Sequence, residues 1–221
     1  MVDGGRIVIV GISGSPKERG SSTRFLLEQA IDAAAASMPE GIQLEGIVVD
    51  LSKHHIEPCT GCDACVRRKP CPLSDKDDMP EIEGILKQAD GVIIAAPSYF
   101  CSVPGILKNF IDRTRPLKMA DHGLKDRFFG AITYAGLKYG GQEAVVDYLN
   151  RYALTQGMIV VGGLGSPIRD GIAGMGSMQT DEGKWRTAKS DELAIQSAKI
   201  LGRRMGELLL RWRFGPREQN E

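Results

Sequence analysis

The sequence predicts an α/β fold: a doubly wound, five-stranded parallel sheet in the order 2-1-3-4-5, with helices on both faces. Three observations carry this reading. Residues 6–12 (RIVIVGI) are a β-branched run with almost no polar interruption, the pattern of a strand buried on both faces. Similar runs alternate along the chain with stretches whose apolar residues recur at helical spacing, which implies parallel strands joined by right-handed crossovers. A loop of small and polar residues follows the first run and leads straight into a helix, the arrangement that doubly wound sheets place where strand order reverses.

Each element has its own signal. After the strand at 6–12, residues 22–38 carry Leu26, Ala30, Ala34 and Met38 on one stripe, and the Pro39–Gly41 stretch ends that helix. The second strand is expected at 43–51, the third at 91–96 (GVIIAA), the fourth at 129–135 and the fifth at 158–162. Asp78, Pro80 and Glu81 read as capping residue, early proline and first-turn acid of a helix over 80–88. Further helices are expected at 104–112 and 142–156. The last, at 191–211, sets Ala194, Ala198, Leu201, Met205 and Leu208 on one face, with Trp212 extending the stripe. Five strands so spaced suit a flavodoxin-like order.

A single domain over 1–214 accounts for nearly all of the 221 residues, with a cysteine-rich loop inserted at 52–77, a second long loop at 163–188, and a polar, mobile tail at 215–221. Lys plus Arg (28) offset Asp plus Glu (28), so the charge excess expected of a nucleic-acid binder or a protein on anionic lipid is missing. No secretory signal and no stretch near the roughly 20 apolar residues of a bilayer span is visible, and a cytoplasmic, reducing location is expected.

The loop after the first strand holds Ser13, Gly14, Ser15, Pro16, Lys17, Gly20, Ser21, Ser22 and Thr23. Free amides and the positive end of a helix dipole favour a phosphate there, and the hydroxyls add donors. The loop has neither the lysine-bearing nucleotide clamp nor a G-x-G-x-x-G, so a monophosphate fits better than a nucleoside triphosphate or a dinucleotide. The plainer reading is that Ser22 or Thr23 merely caps the helix. Two other loops leave the same sheet edge. One contains Pro97, Ser98, Tyr99 and Phe100, the other Ala135, Gly136, Gly140 and Gly141. Small residues that admit a flat ring beside aromatics that can stack on it suit an isoalloxazine, and with the phosphate loop they point to FMN. The plainer reading of Tyr99 and Phe100 is core or rim packing.

Four of the five cysteines, Cys59, Cys62, Cys65 and Cys71, lie within thirteen residues, and Pro72 follows the last. In a reducing compartment such a group reads as metal-binding or catalytic before it reads as disulfide. One loop carrying three thiols in seven residues can wrap a [4Fe-4S] cluster, whereas structural zinc usually joins two separated knuckles; zinc and free thiols stay open as alternatives. Cys101 stands apart, in a candidate flavin loop, and reads first as a small hydrophobe. Arg67, Arg68 and Lys69 read as a solvated basic tip or as a receiver for an acidic electron carrier. His54 and His55 take no role.

These motifs, with Asp77-Asp78-Met79, Val103-Pro104-Gly105, Leu107 to Arg113 and Gly140 to Glu143, resemble the iron-sulfur flavoproteins within the NAD(P)H-dependent FMN reductase group, over residues 6–210. The resemblance implies FMN in the three loops, a [4Fe-4S] cluster on the four cysteines, a homodimer or homotetramer, and electrons passed to or from ferredoxin, NAD(P)H or a small-molecule acceptor. No side chain is named as an obligatory acid or base, since the cofactors carry the difficult chemistry. The rival expectations are a clusterless NAD(P)H-dependent FMN or quinone reductase and a non-enzymatic zinc- or redox-responsive module.

Overall fold

The structure, a computed structural model, describes residues 5–120, 122–166 and 173–215. Strands β1 (Gly5–Ser13), β2 (Ile42–Asp50), β3 (Gly91–Pro97), β4 (Phe128–Ala135) and β5 (Ile159–Val160) form a parallel sheet in the order β2-β1-β3-β4-β5. The helices are α1 (Ser22–Ala36), α2 (Met79–Lys87), α3 (Gly105–Arg113), α4 (Arg115–Met119), α5 (Gln142–Gln156) and α6 (Glu192–Phe214). The predicted fold class and strand order are therefore observed. Among the described residues no helix is long and apolar enough to cross a membrane.

The alternation of side chains along a strand divides the core into two layers. Val8, Val10 and Ile12 of β1 pack with Ile82 and Leu86 of α2, Phe110 of α3 and Leu149 of α5. Ile7 and Ile9 face the other way, onto Leu26, Leu27 and Ala30 of α1 and Leu201 and Met205 of α6. Because both faces are covered, every residue from Ile7 to Ser13 is buried, which is why the strand reads as an unbroken apolar run. Helices α1 and α6 are in close contact at Gly202, where an added Cβ would stand 1.9 Å from the Ala30 carbonyl oxygen. The predicted apolar stripe of α6 is buried through Met205, and Trp212, though 66% exposed, sets its ring edge-on to Phe128 at 5.9 Å between centroids.

Three expectations are corrected. The strand expected at 158–162 is hydrogen-bonded as a strand only over Ile159–Val160, opposite Phe128 and Phe129. The outer half of β4 is instead paired by β6 (Gly174–Ser177), in register from Ile132↔Gly174 to Ala135↔Ser177, inside the segment 163–188 read as loop. Gly162 and Gly163 weaken continuation of β5. In β6 the glycines are demanded by neighbours: a Cβ at Gly174 would meet Ile132 at 2.9 Å, and one at Gly176 would meet Ala194 at 2.6 Å. Residues 167–172 of that segment, and 216–221 of the tail expected to be mobile, lie outside the described residues. Second, Asp78 makes no side-chain cap to α2; the Met79 amide donates to Asp77 Oδ1 at 3.2 Å, and Asp78 accepts the His55 amide at 2.8 Å. Third, α4 was not expected.

Candidate cofactor site

Parallel strands end at one edge, so β1, β3 and β4 deliver their following loops to the same place. After β1, Ser13, Ser15, Ser21 and Thr23 are buried, while Lys17 and Gly20 lie on the exposed rim, Gly20 with φ +63°. Ser21 is the N-cap of α1: its hydroxyl accepts the Arg24 amide at 3.2 Å and lies 3.2 Å from Thr23 Oγ1. The first-turn amides of Ser22 and Thr23 have no carbonyl within the helix, which leaves them for an anion. Ser13 Oγ is buried without a hydrogen-bond partner. Gly14 donates its amide to Ala95 O at 2.8 Å, and a Cβ there would stand 2.5 Å from Leu107, so the loop begins pressed against α3.

Arg24, one residue beyond the predicted loop, shapes it. Its guanidinium donates to the Glu18 carbonyl at 3.1 Å and pairs with Asp50 at the end of β2. This cross-tie was not legible in the sequence, because nothing at the spacing of Arg24 and Asp50 distinguishes them from surface charges.

The β3 loop turns tightly. The Tyr99 amide donates to Ser102 O at 2.9 Å and the Ser102 amide to Tyr99 O at 3.0 Å, with Phe100 (φ +50°) and Cys101 (φ +60°) between them. Both central residues of such a turn lie in the left-handed region, which costs a non-glycine residue about 1–2 kcal/mol. The surroundings hold the turn in place. Gly141, at φ +83°, is packed so closely that an added Cβ would be 2.6 Å from Cys101 Cα, and Ser98 Oγ donates to the Gly140 carbonyl. Pro97, Ser98, Gly140 and Gly141 are thus brought together. Ala135 is buried and Gly136 exposed at the same edge; Phe100 is fully exposed at the tip of its turn. Gln142, which begins α5, donates from Nε2 to Leu137 O (2.9 Å), Lys138 O (3.2 Å) and Gly176 O (3.3 Å), tying the β4 loop to β6.

The cysteine loop folds against α3 and α4. Cys59, Cys62, Cys65 and Cys71 line one cavity together with Thr60, Asp63, Asp112, Arg113, Arg115 and Pro116. All four are free thiols, Cys59 and Cys62 exposed and the others half-buried. Left-handed Gly61, Asp63 and Arg68, with bonds from the Arg68 amide to Cys65 O (3.0 Å) and from the Lys69 amide to Ala64 O (2.9 Å), curl the chain round the cavity. Among the described residues, no three of His, Cys, Asp and Glu are placed to hold a single metal ion. The Ala64 amide, then the Thr60 hydroxyl and Arg67, hold the Cys62 thiol below its ordinary range despite partial desolvation. Beside the cavity, Lys108 is pushed up chiefly by its hydrogen bond to Asp112.

Residues 7–169 match the family model of NADPH-dependent FMN reductases. The chain belongs to that family. Within the family, an iron-sulfur flavoprotein of Archaeoglobus fulgidus is 38% identical over 200 residues, covering 90% of this chain and 94% of the relative. One of Methanocaldococcus jannaschii is 33% identical over 201 residues, covering 91% and 96%. Among solved structures, RosB with bound 8-demethyl-8-formylriboflavin-5′-phosphate superposes with a TM-score of 0.66 at 15% identity, over 95% of this chain and 82% of that one. A flavodoxin, WrbA-like protein from Agrobacterium tumefaciens gives 0.56 at 16% identity, over 94% and 98%. The structural likenesses establish the flavodoxin-like fold, and family membership makes this an FMN-dependent oxidoreductase.

Proposed function

We propose that this FMN reductase family member holds FMN across the loops after β1, β3 and β4, holds a [4Fe-4S] cluster on Cys59, Cys62, Cys65 and Cys71, and passes electrons between them and an outside carrier such as ferredoxin or NAD(P)H. One observation carries the reading: the four cysteines of the motif surround a single cavity lined by Arg113 and Arg115. A lone zinc ion draws its four ligands to about 2.3 Å, whereas a cube spreads them over four irons, and three thiols within seven residues suit the cube.

The residues at the sheet edge fit the flavin. An unpartnered hydroxyl at Ser13, the capped helix end at Ser21 and the unclaimed amides of Ser22 and Thr23 suit a phosphate. The left-handed Gly141 against Cys101 gives the ring loops a fixed shape without a side chain in the way. FMN, when bound, supplies two-electron chemistry and the cluster one-electron chemistry. The chain's part is placement. Helix α3 starts at the flavin loop and ends with Arg113 in the cysteine cavity, and its nine residues rise about 12 Å.

The test is anaerobic purification and reconstitution, with iron, sulfide, zinc and flavin measured on one sample. Flavin bands over a broad absorption that dithionite bleaches are expected, and Cys62→Ser should lose the iron and keep the FMN. Full turnover of NADPH with a quinone by iron-free protein would overturn the cluster assignment in favour of a clusterless reductase. Stoichiometric zinc without flavin would overturn both cofactors.

A further inference from the structure

Arg113 ends α3 with its side chain 3% exposed, and the fold gives partners to two of its three nitrogens. Nη1 donates to the Glu57 carbonyl at 2.9 Å and to Asp77, and Nη2 donates to the other Asp77 oxygen at 3.2 Å. Asp77 in turn accepts the amide of Glu57 at 3.0 Å and that of Met79 at 3.2 Å. The fork therefore joins the two ends of the cysteine loop. Nε is different: it is buried and has no hydrogen-bond partner. A buried N–H without an acceptor is rare in a native protein, and a guanidinium cannot shed its proton to escape the cost.

The cavity of the four cysteines is lined by Arg113 as well. Its two carboxylates are engaged elsewhere, Asp63 by Arg115 at 2.8 Å and Asp112 by Lys108. The remaining acceptors on the cavity wall include the cysteine sulfurs. We propose that Arg113 is a positioning residue for the iron-sulfur site: its fork fixes the loop ends, and its Nε–H is held in reserve as the donor to a sulfur. The proposal rests on the reading of the four cysteines as cluster ligands. Lysine cannot replace it, because one ammonium cannot serve Asp77, the Glu57 carbonyl and a sulfur from a fixed planar fork. Hydrogen bonds to sulfur and nearby positive charge favour the more negative, reduced state, so the intact arrangement raises the reduction potential.

The experiment uses full-length reconstituted protein carrying nitrogen-15-labelled arginine, as wild type and as Arg113→Lys, with iron and FMN content measured on each sample. Pulsed electron paramagnetic resonance of the reduced wild type should show a nitrogen-15 coupling that Arg113→Lys loses. The variant's midpoint potential should move to more negative values while FMN stoichiometry stays unchanged. No coupling in the wild type overturns the proposal, whether or not the variant folds. A coupling of the same size in Arg113→Lys, or an unchanged midpoint at full iron content, overturns it too. Wild type that takes up no iron fails at the earlier step and removes the cluster reading together with this one.

Discussion

Arg113 and Asp77, 36 positions apart, form a buried ion pair at the neck of the cysteine loop, their side chains 3% and 0% exposed. Burial alone would push the Asp77 carboxyl up; the Arg113 guanidinium and the amides of Glu57 and Met79 outweigh it and hold the group below its usual range. A carboxyl depressed on folding adds stability above its ordinary value near 4, and that stability is lost as pH falls through the lower folded value. Urea unfolding of the wild type should therefore weaken steeply below about pH 4. Asp77→Asn should flatten that limb and cost about 3–5 kcal/mol at neutral pH, since it strands a buried guanidinium.

Gly141→Ala tests the junction of the loops after β3 and β4. At φ +83°, with Cys101 Cα 2.6 Å from the new Cβ, the substitution adds left-handed strain to a backbone clash. A loss of about 2–5 kcal/mol is expected, with weaker FMN binding. Gly183→Ala, at φ +74° with open space around it, should lose only about 1–2 kcal/mol and leave the flavin dissociation constant alone. Thermal melts with and without FMN, and flavin fluorescence quenching, read both.

Ser21→Ala removes the hydroxyl that caps α1. Stability should fall by about 1 kcal/mol. Because the same helix end is assigned to the phosphate, the variant should weaken FMN binding more than riboflavin binding. Equal losses for the two ligands would place the phosphate elsewhere.

Tyr134 and Tyr152 are both pushed up to about 12, first by burial; Tyr134 donates to the Ser177 carbonyl at 2.8 Å, and Tyr152 lies 3.1 Å from Thr114 Oγ1. A group raised on folding contributes fully below its unfolded value, near 10 for tyrosine, and its contribution is lost as pH rises through the folded one. Of the five tyrosines, these two should be the last to ionise, together with unfolding. Tyrosinate absorbance followed alongside circular dichroism checks this. In Tyr152→Phe, one tyrosine fewer should appear in the late phase.

Much of the frame was legible because its signals are local. The apolar run at the start of β1, the stripe of α1, and the small polar loop between them are each read over a few residues, and the structure holds all three. The cysteine spacing was equally plain, and the four thiols do share a cavity. The helix cap is Ser21, one residue before Ser22 and two before Thr23, the two named as possible caps. Arg24 was missed because its carboxylate partner, Asp50, reaches it only after β1 and β2 pair. Phe100 was expected as a ring wall and stands fully exposed at the tip of its turn.

By itself the sequence determined the alternation of strands and helices, the strand order, the small polar loop after β1 and the grouping of the four cysteines, since periodicity and spacing are properties of a short stretch of chain. Tertiary structure alone decided that Gly174–Ser177 completes the edge of β4, that Gly202 is where α6 meets α1, and that Arg113 reaches Asp77. Each of these depends on the shape and hydrogen-bonding needs of a partner distant in sequence. A glycine-rich segment or a single arginine carries no mark of that partner until the sheet has brought the two together.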